Sequence, residues 1–289
     1  MITFIICSLD PVKASAVEQN VRKTIGVPCE FIIEDNREKI GGGKGICTVY
    51  NHCAGKACYE YLCFLHEDVV FHGNDWGQSV IAQLRKKDTG VIGFMGSVYK
   101  SKSPSGWNVL PRLNRSHFIR TDKVQGVRRS DEGTGDFRPC LLLDGACIFV
   151  RRDVWAEIPF DEDMLDGFHC YDIDFSLQAS AKGYRNYVCG TVWLEHLSDG
   201  VFSDAWGDAT LRLYLTKWKH AMSAKELETN ELDYISGHRS FIEARSFYVF
   251  LKNQKSRKWN KEERCKLRSL LFRHITHPVL CLKCLPYLV

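Results

Sequence analysis

Leu62-Cys63-Phe64-Leu65-His66-Glu67-Asp68 decides how this chain is read, because an apolar run stops there on three polar, ligand-capable side chains. A short apolar run bounded in this way reads as a buried strand. In open α/β sheets, ligands gather just beyond the carboxyl ends of such strands. Alternation along an extended backbone sends positions 66 and 68 to one side and 67 to the other. A carboxylate at that place suits Mg²⁺ or Mn²⁺, held by one or two carboxylates together with substrate phosphates. A solvated turn after a core strand is the plainer reading of the same residues. A second acidic stretch lies further along. It runs Phe160-Asp161-Glu162-Asp163, then Tyr171-Asp172-Ile173-Asp174-Phe175-Ser176-Leu177, and closes on Gly183-Tyr184-Arg185. Acids in a first helical turn complement the helix dipole, but an acid brought in from elsewhere can also take a proton from a substrate. The two stretches together point to a metal-assisted transfer reaction rather than a scaffold.

Working outward, Thr3 to Ser8 reads as a strand, Ala14 to Lys23 as a helix and Cys29 to Glu34 as a strand. Ile46 to about Cys58 is helical, Tyr61 to Leu65 extended, Trp76 to Lys87 helical and Gly90 to Gly96 extended. Strands separated by helices imply a largely parallel sheet built from crossover units. From Tyr99 to Arg138 the pattern dissolves into Ser, Gly, Arg and Asp, which predicts a long functional loop. Cys140 to Val150 reads as two strand pieces around a glycine, and Tyr187 to Glu195 as one strand ending at His196. Asp172 to Lys182, Asp204 to His220 and Phe241 to Leu251 have helical spacing.

The 289 residues are 45% hydrophobic and 26% charged, enough for one large core, or one domain with an appendage. The thirteen cysteines are odd in number and scattered, and Cys7, Cys63 and Cys147 sit inside apolar runs. That pattern predicts reduced thiols in a cytoplasmic setting. Met1 to Ile6 is apolar, but no charged region precedes it and Asp10-Pro11 ends it, so it reads as a first strand and not as a signal peptide. No run reaches the eighteen or so apolar residues that span a bilayer.

The net charge of +4 hides an asymmetry. Residues 252–289 carry ten Lys or Arg against Glu262 and Glu263, a local net of +8, which leaves about −4 for the rest. Leu267, Leu270, Leu271, His274 and Ile275 fall on one helical face of this tail, ringed by Arg264, Lys266, Arg268 and Arg273. That arrangement favours an anionic membrane surface, with packing on the protein's own domain as the alternative. The tail also holds His274, His277, Cys281 and Cys284 at zinc-like spacing, but Pro278 and leucines interrupt the group. Nucleic acid is not expected, because the basic residues are confined to one end without a recognition motif.

Two more features bear on a site. His196 follows Val192-Trp193-Leu194-Glu195 at a strand end and is a candidate third metal ligand. The run Gly41 to Gly45 is not a Walker loop, since Lys44 is followed by Gly45, and it lacks the dinucleotide spacing. A flexible loop feeding a helix N-terminus can still touch a diphosphate, which makes Lys44 a candidate contact.

The order of these motifs resembles the GT-A glycosyltransferases of the large inverting family two, over roughly residues 1–220. Ser8 ends the first strand and Glu34-Asp35-Asn36 the second, where such enzymes hold the nucleoside. The helix carrying Asn51 is similar to the segment before the family's DXD motif, and His66-Glu67-Asp68 stands in the DXD place. Leu143-Asp144-Gly145-Ala146-Cys147-Ile148-Phe149-Val150-Arg151-Arg152 resembles the mid-domain strand pair, and the segment around Asp172 the acceptor-side acidic motif. Two positions depart from the family pattern: His66 replaces the first DXD acid, and Tyr171 replaces the acid that usually precedes the base.

The resemblance implies a Rossmann-like α/β domain, a mostly parallel mixed sheet flanked by helices, over 1–220. Its nucleotide-binding half would be about 1–98 and its acceptor half about 99–220, with a helical basic extension over 221–289. It implies nucleotide contacts at Ser8, Asp35, Lys44, Asn51, His66 and Glu67, with Mn²⁺ or Mg²⁺ on Asp68 and His196. Asp144, Gly145 and Asp174 would meet the sugars, and Asp172 would be the general base. The loop from Tyr99 to Arg138 becomes a candidate lid or acceptor cradle. The implied partners are a UDP- or GDP-sugar donor and a saccharide or lipid-linked acceptor, for a cytoplasmic enzyme peripheral on the inner face of the membrane. A sugar-phosphate nucleotidyltransferase would need a glycine- and arginine-containing loop where Ser8-Leu9-Asp10-Pro11 stands. A glycosidase would leave the nucleotide-type pattern unexplained. A non-catalytic carbohydrate- or membrane-binding protein on the same fold is the alternative from another class, kept open by His66.

Overall fold

The computed structural model describes residues 1–37, 45–122, 126–133, 135–198, 200–274 and 277–288. The chain begins with β1 (Ile2–Ser8), α1 (Pro11–Thr24), β2 (Cys29–Asp35), α2 (Ile46–Lys56), β3 (Tyr61–Leu65), β4 (Val69–His72) and α3 (Gly77–Leu84). It continues through β5 (Thr89–Gly93), β6 (Met95–Ser97), β7 (Tyr99–Lys100), β8 (Asn114–Asp122), β9 (Gly126–Glu132), β10 (Phe137–Cys140), β11 (Leu142–Leu143) and β12 (Cys147–Arg151). Then come α4 (Arg152–Glu157), α5 (Tyr171–Ala181), β13 (Arg185–Cys189), β14 (Trp193–His196), α6 (Asp204–Thr216), β15 (Met222–Ser223), α7 (Thr229–Asn253), α8 (Lys261–His274) and α9 (Pro278–Cys284).

Seven strands form the main sheet in the order β10-β13-β5-β12-β3-β1-β2. β2, β1 and β3 run parallel, so their carboxyl ends share one edge. β12 runs antiparallel to both β3 and β5, which brings the turn before it to that same edge. Apolar alternation on these strands feeds two cores. Ile5, Leu62, Phe64, Ile148 and Val150 pack with α2 and α5 on one face. Phe4, Ile6, Cys63, Leu65 and Phe149 pack with α1 and α3 on the other. Phe4 stacks on Phe31 at 5.0 Å and meets Phe149 edge-on at 6.1 Å. Burying such a side chain is worth about 1.5–3 kcal/mol. Asp10 caps α1 by accepting from the Val12 and Lys13 amides, and Pro11 starts that helix with its φ already set.

A second sheet runs β11-β6-β8-β14-β4, with β9 on β8. Here three sequence expectations are corrected. Tyr99 to Arg138 is no single loop, because β8 and β9 form a hairpin in which Ser116 faces Glu132 and Thr121 faces Val127. Its outer strand, Gly-Val-Arg-Arg-Ser-Asp-Glu, is mostly exposed and needs no apolar alternation to pair through its backbone. Tyr187 to Glu195 is two strands, β13 beside β5 in the main sheet and β14 beside β4 in the second. Gly90 to Gly96 divides at Phe94 in the same way.

The tail corrects a fourth. Leu267 and Leu271 are fully buried, packed with Trp206 of α6, Phe247 and Phe250 of α7, Trp259 and Cys284. The apolar face expected to dock on a membrane is therefore covered by the protein's own helices; Ile275 and the side chain of His274 lie outside the described residues. The buried Glu243 of α7 accepts from Tyr99 Oη at 2.7 Å, Ser101 Oγ at 2.6 Å and the amides of Lys102 and Ser103 at 3.0 and 3.2 Å. This carboxylate fastens the helical extension to the segment leading from β7. All thirteen cysteines are free thiols. Among the described residues no helix is long and apolar enough to cross a membrane.

Candidate active site

The shared sheet edge gathers the ends of β1, β2 and β3, the Asp144–Ala146 turn and the start of α5. His66 leaves β3 with its amide bonded to the Ala146 carbonyl at 3.0 Å. His196 ends β14 opposite Val69, and the Leu197 amide bonds the Asp68 carbonyl at 2.9 Å, so its ring falls beside Asp68. His196 Nε2 stands 3.3 Å from Asp68 Oδ1, and His66 Nδ1 stands 3.9 Å from the same oxygen. One ligand atom from each of these three residues lies within 4.8 Å of the others. This is the one such group among the described residues, and the zinc-like tail spacing forms none there.

The far side of His66 is also occupied. Its Nε2 lies 2.7 Å from Tyr171 Oη, and Tyr171 donates to the Gly145 carbonyl at 3.0 Å. Tyrosine has one proton, so Nε2–H of His66 must donate to Tyr171, leaving Nδ1 unprotonated towards Asp68. Metal-bound histidines are oriented by this kind of outer partner. Burial and the neighbouring His196 lower the pKa of His66, which keeps it neutral. For His196, burial pulls the pKa down, but the bond to Asp68 and the charges of Asp144 and Asp68 raise it overall. For Asp68, burial acts upward and is outweighed by the His196 hydrogen bond and charge, which hold the carboxyl far below the usual range. Two imidazoles and one carboxylate fit a divalent cation, and the imidazoles shift the preference from Mg²⁺ towards Mn²⁺ or a later transition ion.

Glu67 points to the opposite side, as alternation predicts. Its Oε2 accepts from Ser8 Oγ at 2.7 Å and from the Leu9 and Asp10 amides at 3.1 and 3.0 Å. Glu67 and Ser8 thus bind each other and shape the turn after β1. Asp35, exposed at the end of β2, holds the Arg37 guanidinium at 3.0–3.1 Å through Nε. The Asn51 amide is spent on the Phe160 backbone, donating to its carbonyl at 2.8 Å and accepting from its amide at 3.0 Å. Asn51 therefore clamps the acidic segment to α2. Lys44 lies outside the described residues.

Asp172 and Asp174 both start α5, but only one is open to the cleft. Asp174 is 1% exposed. It accepts from Trp218 Nε1 at 2.7 Å, Gln178 Nε2 at 2.9 Å and Lys217 Nζ at 3.0 Å. Its expected contact with a sugar is corrected on this ground: α5 turns it inward, and every oxygen is taken. Asp172 accepts from the Ile173 amide at 2.8 Å, and among the described residues no side-chain cation pairs with it. Burial, then the Asp144 charge, push its carboxyl up to about 7. Asp144 is pinned by Trp107 Nε1 at 2.7 Å and the Ala146 amide at 3.0 Å. Gly145 admits no larger residue, since a Cβ would lie 2.2 Å from Tyr171 Oη. Cys170 enters α5 at φ 66°, a left-handed conformation costing about 1–2 kcal/mol, immediately before Tyr171 and Asp172.

Sequence reasoning missed three contributors. His66 stood where an acid is usual and was assigned to the nucleotide, yet it closes the metal-type cluster. Tyr171 ties that cluster to Gly145. Trp107, a lone aromatic in a polar stretch, orients Asp144; that isolation is the one signal that could have found it.

The fold is that of the GT-A glycosyltransferases. The chain belongs to the family described as "Glycosyltransferase like family", its residues 3–215 matching. It is 28% identical over 197 residues to "ATP synthase subunits region ORF 6" of Fuscovulum blasticum, covering 64% of this chain and 72% of that protein. Among solved structures it is similar to S. aureus TarS, with a TM-score of 0.54 and 14% identity, covering 96% of this chain and 50% of that one. GalNAc-T7 with UDP, GalNAc and Mn²⁺ gives 0.52 and 12%, covering 96% and 58%. The mannosyltransferase PcManGT from Pyrobaculum calidifontis, in complex with GDP-Man and Mn²⁺, gives 0.51 and 10%, covering 99% and 84%. The chain spans about half the length of TarS. At these identities the likeness is one of fold.

Proposed function

We propose that this protein is a metal-dependent inverting glycosyltransferase that moves a hexosyl or related sugar from a UDP- or GDP-sugar to a hydroxyl of a saccharide or lipid-linked acceptor. We place its transfer domain at residues 1–220 and a helical extension beyond it. The observation that carries the proposal is the His66–Asp68–His196 group beside an acid, Asp172, that no cation among the described residues neutralises. Mn²⁺ complexes of GalNAc-T7 and PcManGT support a nucleotide-sugar donor and a manganese ion here. His66, Asp68 and His196 would hold that ion. When bound, it supplies positive charge to the departing nucleoside diphosphate.

The chain's own residues supply the rest. Asp35 and Ser8, at the ends of β2 and β1, face the nucleoside side, and Asp144 and Gly145 line the sugar side. Asp172, ionised above its raised pKa, accepts the acceptor hydroxyl proton. That oxygen attacks the anomeric carbon while the bond to the diphosphate breaks on the opposite face, which inverts the configuration. Trp107 fixes Asp144, and Asp144 keeps Asp172 basic. A role in surface polysaccharide or glycolipid synthesis, and a peripheral position at a membrane, belong to the same reading.

A thermal-shift titration with UDP and GDP, with and without Mn²⁺, tests it on wild type and Asp68→Ala. The expected result is a metal-dependent shift for one nucleotide that the variant loses. No shift with either nucleotide would overturn the proposal in favour of a non-catalytic binding protein.

A further inference from the structure

A second cleft lies away from the transfer site, where α7 hands over to α8. It has a volume of about 370 Å³ and is walled by Lys255, Lys258 and Arg264 around Trp259 and Tyr287, with Pro286 at the rim. Arg257 also lines it, but its guanidinium is taken by Asp208 at 2.6 Å and by the Asp204 carbonyl at 2.8 Å, and lies 4.3 Å over the Trp259 ring. Among the described residues Lys255, Lys258 and Arg264 have no acidic partner. The cleft therefore carries three unneutralised cations beside a guanidinium, that of Arg257, that is already satisfied. The buried Gln254 also lines it, with a carbonyl oxygen that has no hydrogen-bond partner among the described residues.

The wall holding Pro286 and Tyr287 is continuous with exposed apolar side chains, Leu282 at 67% and Leu285 at 37% exposure. These are three residues apart and share the outer side of α9 and the turn after it. The inner side of the same segment, at Cys284 and Leu288, is buried in the protein. Cations around a cleft beside apolar residues facing water form a surface that gains on both counts at an anionic lipid interface. A soluble anion would use the cations alone and leave Leu282 and Leu285 without a purpose.

We infer that this cleft binds the phosphate headgroup of an anionic phospholipid, with Leu282 and Leu285 entering the acyl boundary beside it. The surface differs from the apolar face of α8, which the protein covers itself. It deepens the peripheral-membrane part of the proposed function but does not use the transfer site, so its test and the nucleotide test fail separately.

The experiment is co-sedimentation of the full chain with vesicles of phosphatidylcholine, alone or with phosphatidylglycerol. Wild type should sediment with the phosphatidylglycerol vesicles and hardly with phosphatidylcholine alone. K255E/K258E, which alters two exposed side chains, should weaken that binding on the order of a hundredfold while keeping the wild-type Tm. L282S/L285S should weaken it about tenfold or more with charge untouched. Equal sedimentation with both vesicles, or unchanged binding by K255E/K258E, would overturn the inference. So would calorimetric binding of glycerol 3-phosphate or inorganic phosphate without sedimentation, which would make the cleft a site for a soluble phosphate.

Discussion

Asp172 and Asp174 are two residues apart on one helical turn, and their surroundings are built on opposite plans. Around Asp174 the fold supplies Lys217, Trp218 and Gln178, and Lys217 reaches Asp161 as well at 2.8 Å. Every charge there has a partner, and the result is a joint between α5 and the end of α6. Around Asp172 the fold supplies another acid, Asp144, and no cation among the described residues. That arrangement raises the energy of the carboxylate and of the folded protein together. A neutralised acid is framework, whereas one left against a like charge stores the basicity that proton transfer needs.

The largest effect expected from this contrast is on turnover. Asp172→Asn should lower release of nucleoside diphosphate on the order of a thousandfold while sparing the nucleotide-dependent thermal shift. The same variant should be more stable than wild type at about pH 8. The folded pKa lies above the unfolded value, so the contribution of Asp172 to stability is present at low pH and is lost as pH rises through about 7. Removing the charge should recover on the order of 1–2 kcal/mol, less than the full shift because the side chain is partly open to water.

Asp174→Asn should act in the reverse sense. It leaves Lys217 short of a buried partner and should cost about 3 kcal/mol in denaturant unfolding, with activity largely kept at temperatures where the protein stays folded. Asp68→Ala should weaken Mn²⁺ binding about a hundredfold or more by titration calorimetry, since a ligand is lost outright. Tyr171→Phe removes the orienting bond to His66, together with the bond to the Gly145 carbonyl, and leaves all three metal-type ligands in place; it should cost about tenfold in Mn²⁺ affinity. An unchanged affinity there would show that the Tyr171 bond is framework after all.

The same contrast separates what the sequence revealed from what it hid. Strand ends were legible because Ser8, Asp35 and Asp68 each close an apolar run, and alternation correctly parted Glu67 from His66 and Asp68. The hairpin from Asn114 to Glu132 was not, since its exposed strand carries charge where periodicity looks for apolar residues. The fate of Asp174 was hidden too, because it depends on Lys217, 43 residues away, and only folding brings the two together. His66 was read from the place it occupies in a motif, and its grouping with Asp68 emerges only once β14 delivers His196 beside them. The amphipathic pattern of the tail showed that a face must be covered without showing by what.

The pH dependence of nucleotide-sugar consumption by the wild-type protein, at saturating Mn²⁺, tests the central claim most directly. The account predicts a rate that climbs about tenfold per pH unit on the acid side and levels off above about 7, where Asp172 becomes a carboxylate. A rate already level from about pH 5 upward would put the base in the ordinary carboxylate range. It would contradict the claim that burial beside Asp144 poises Asp172 for the reaction.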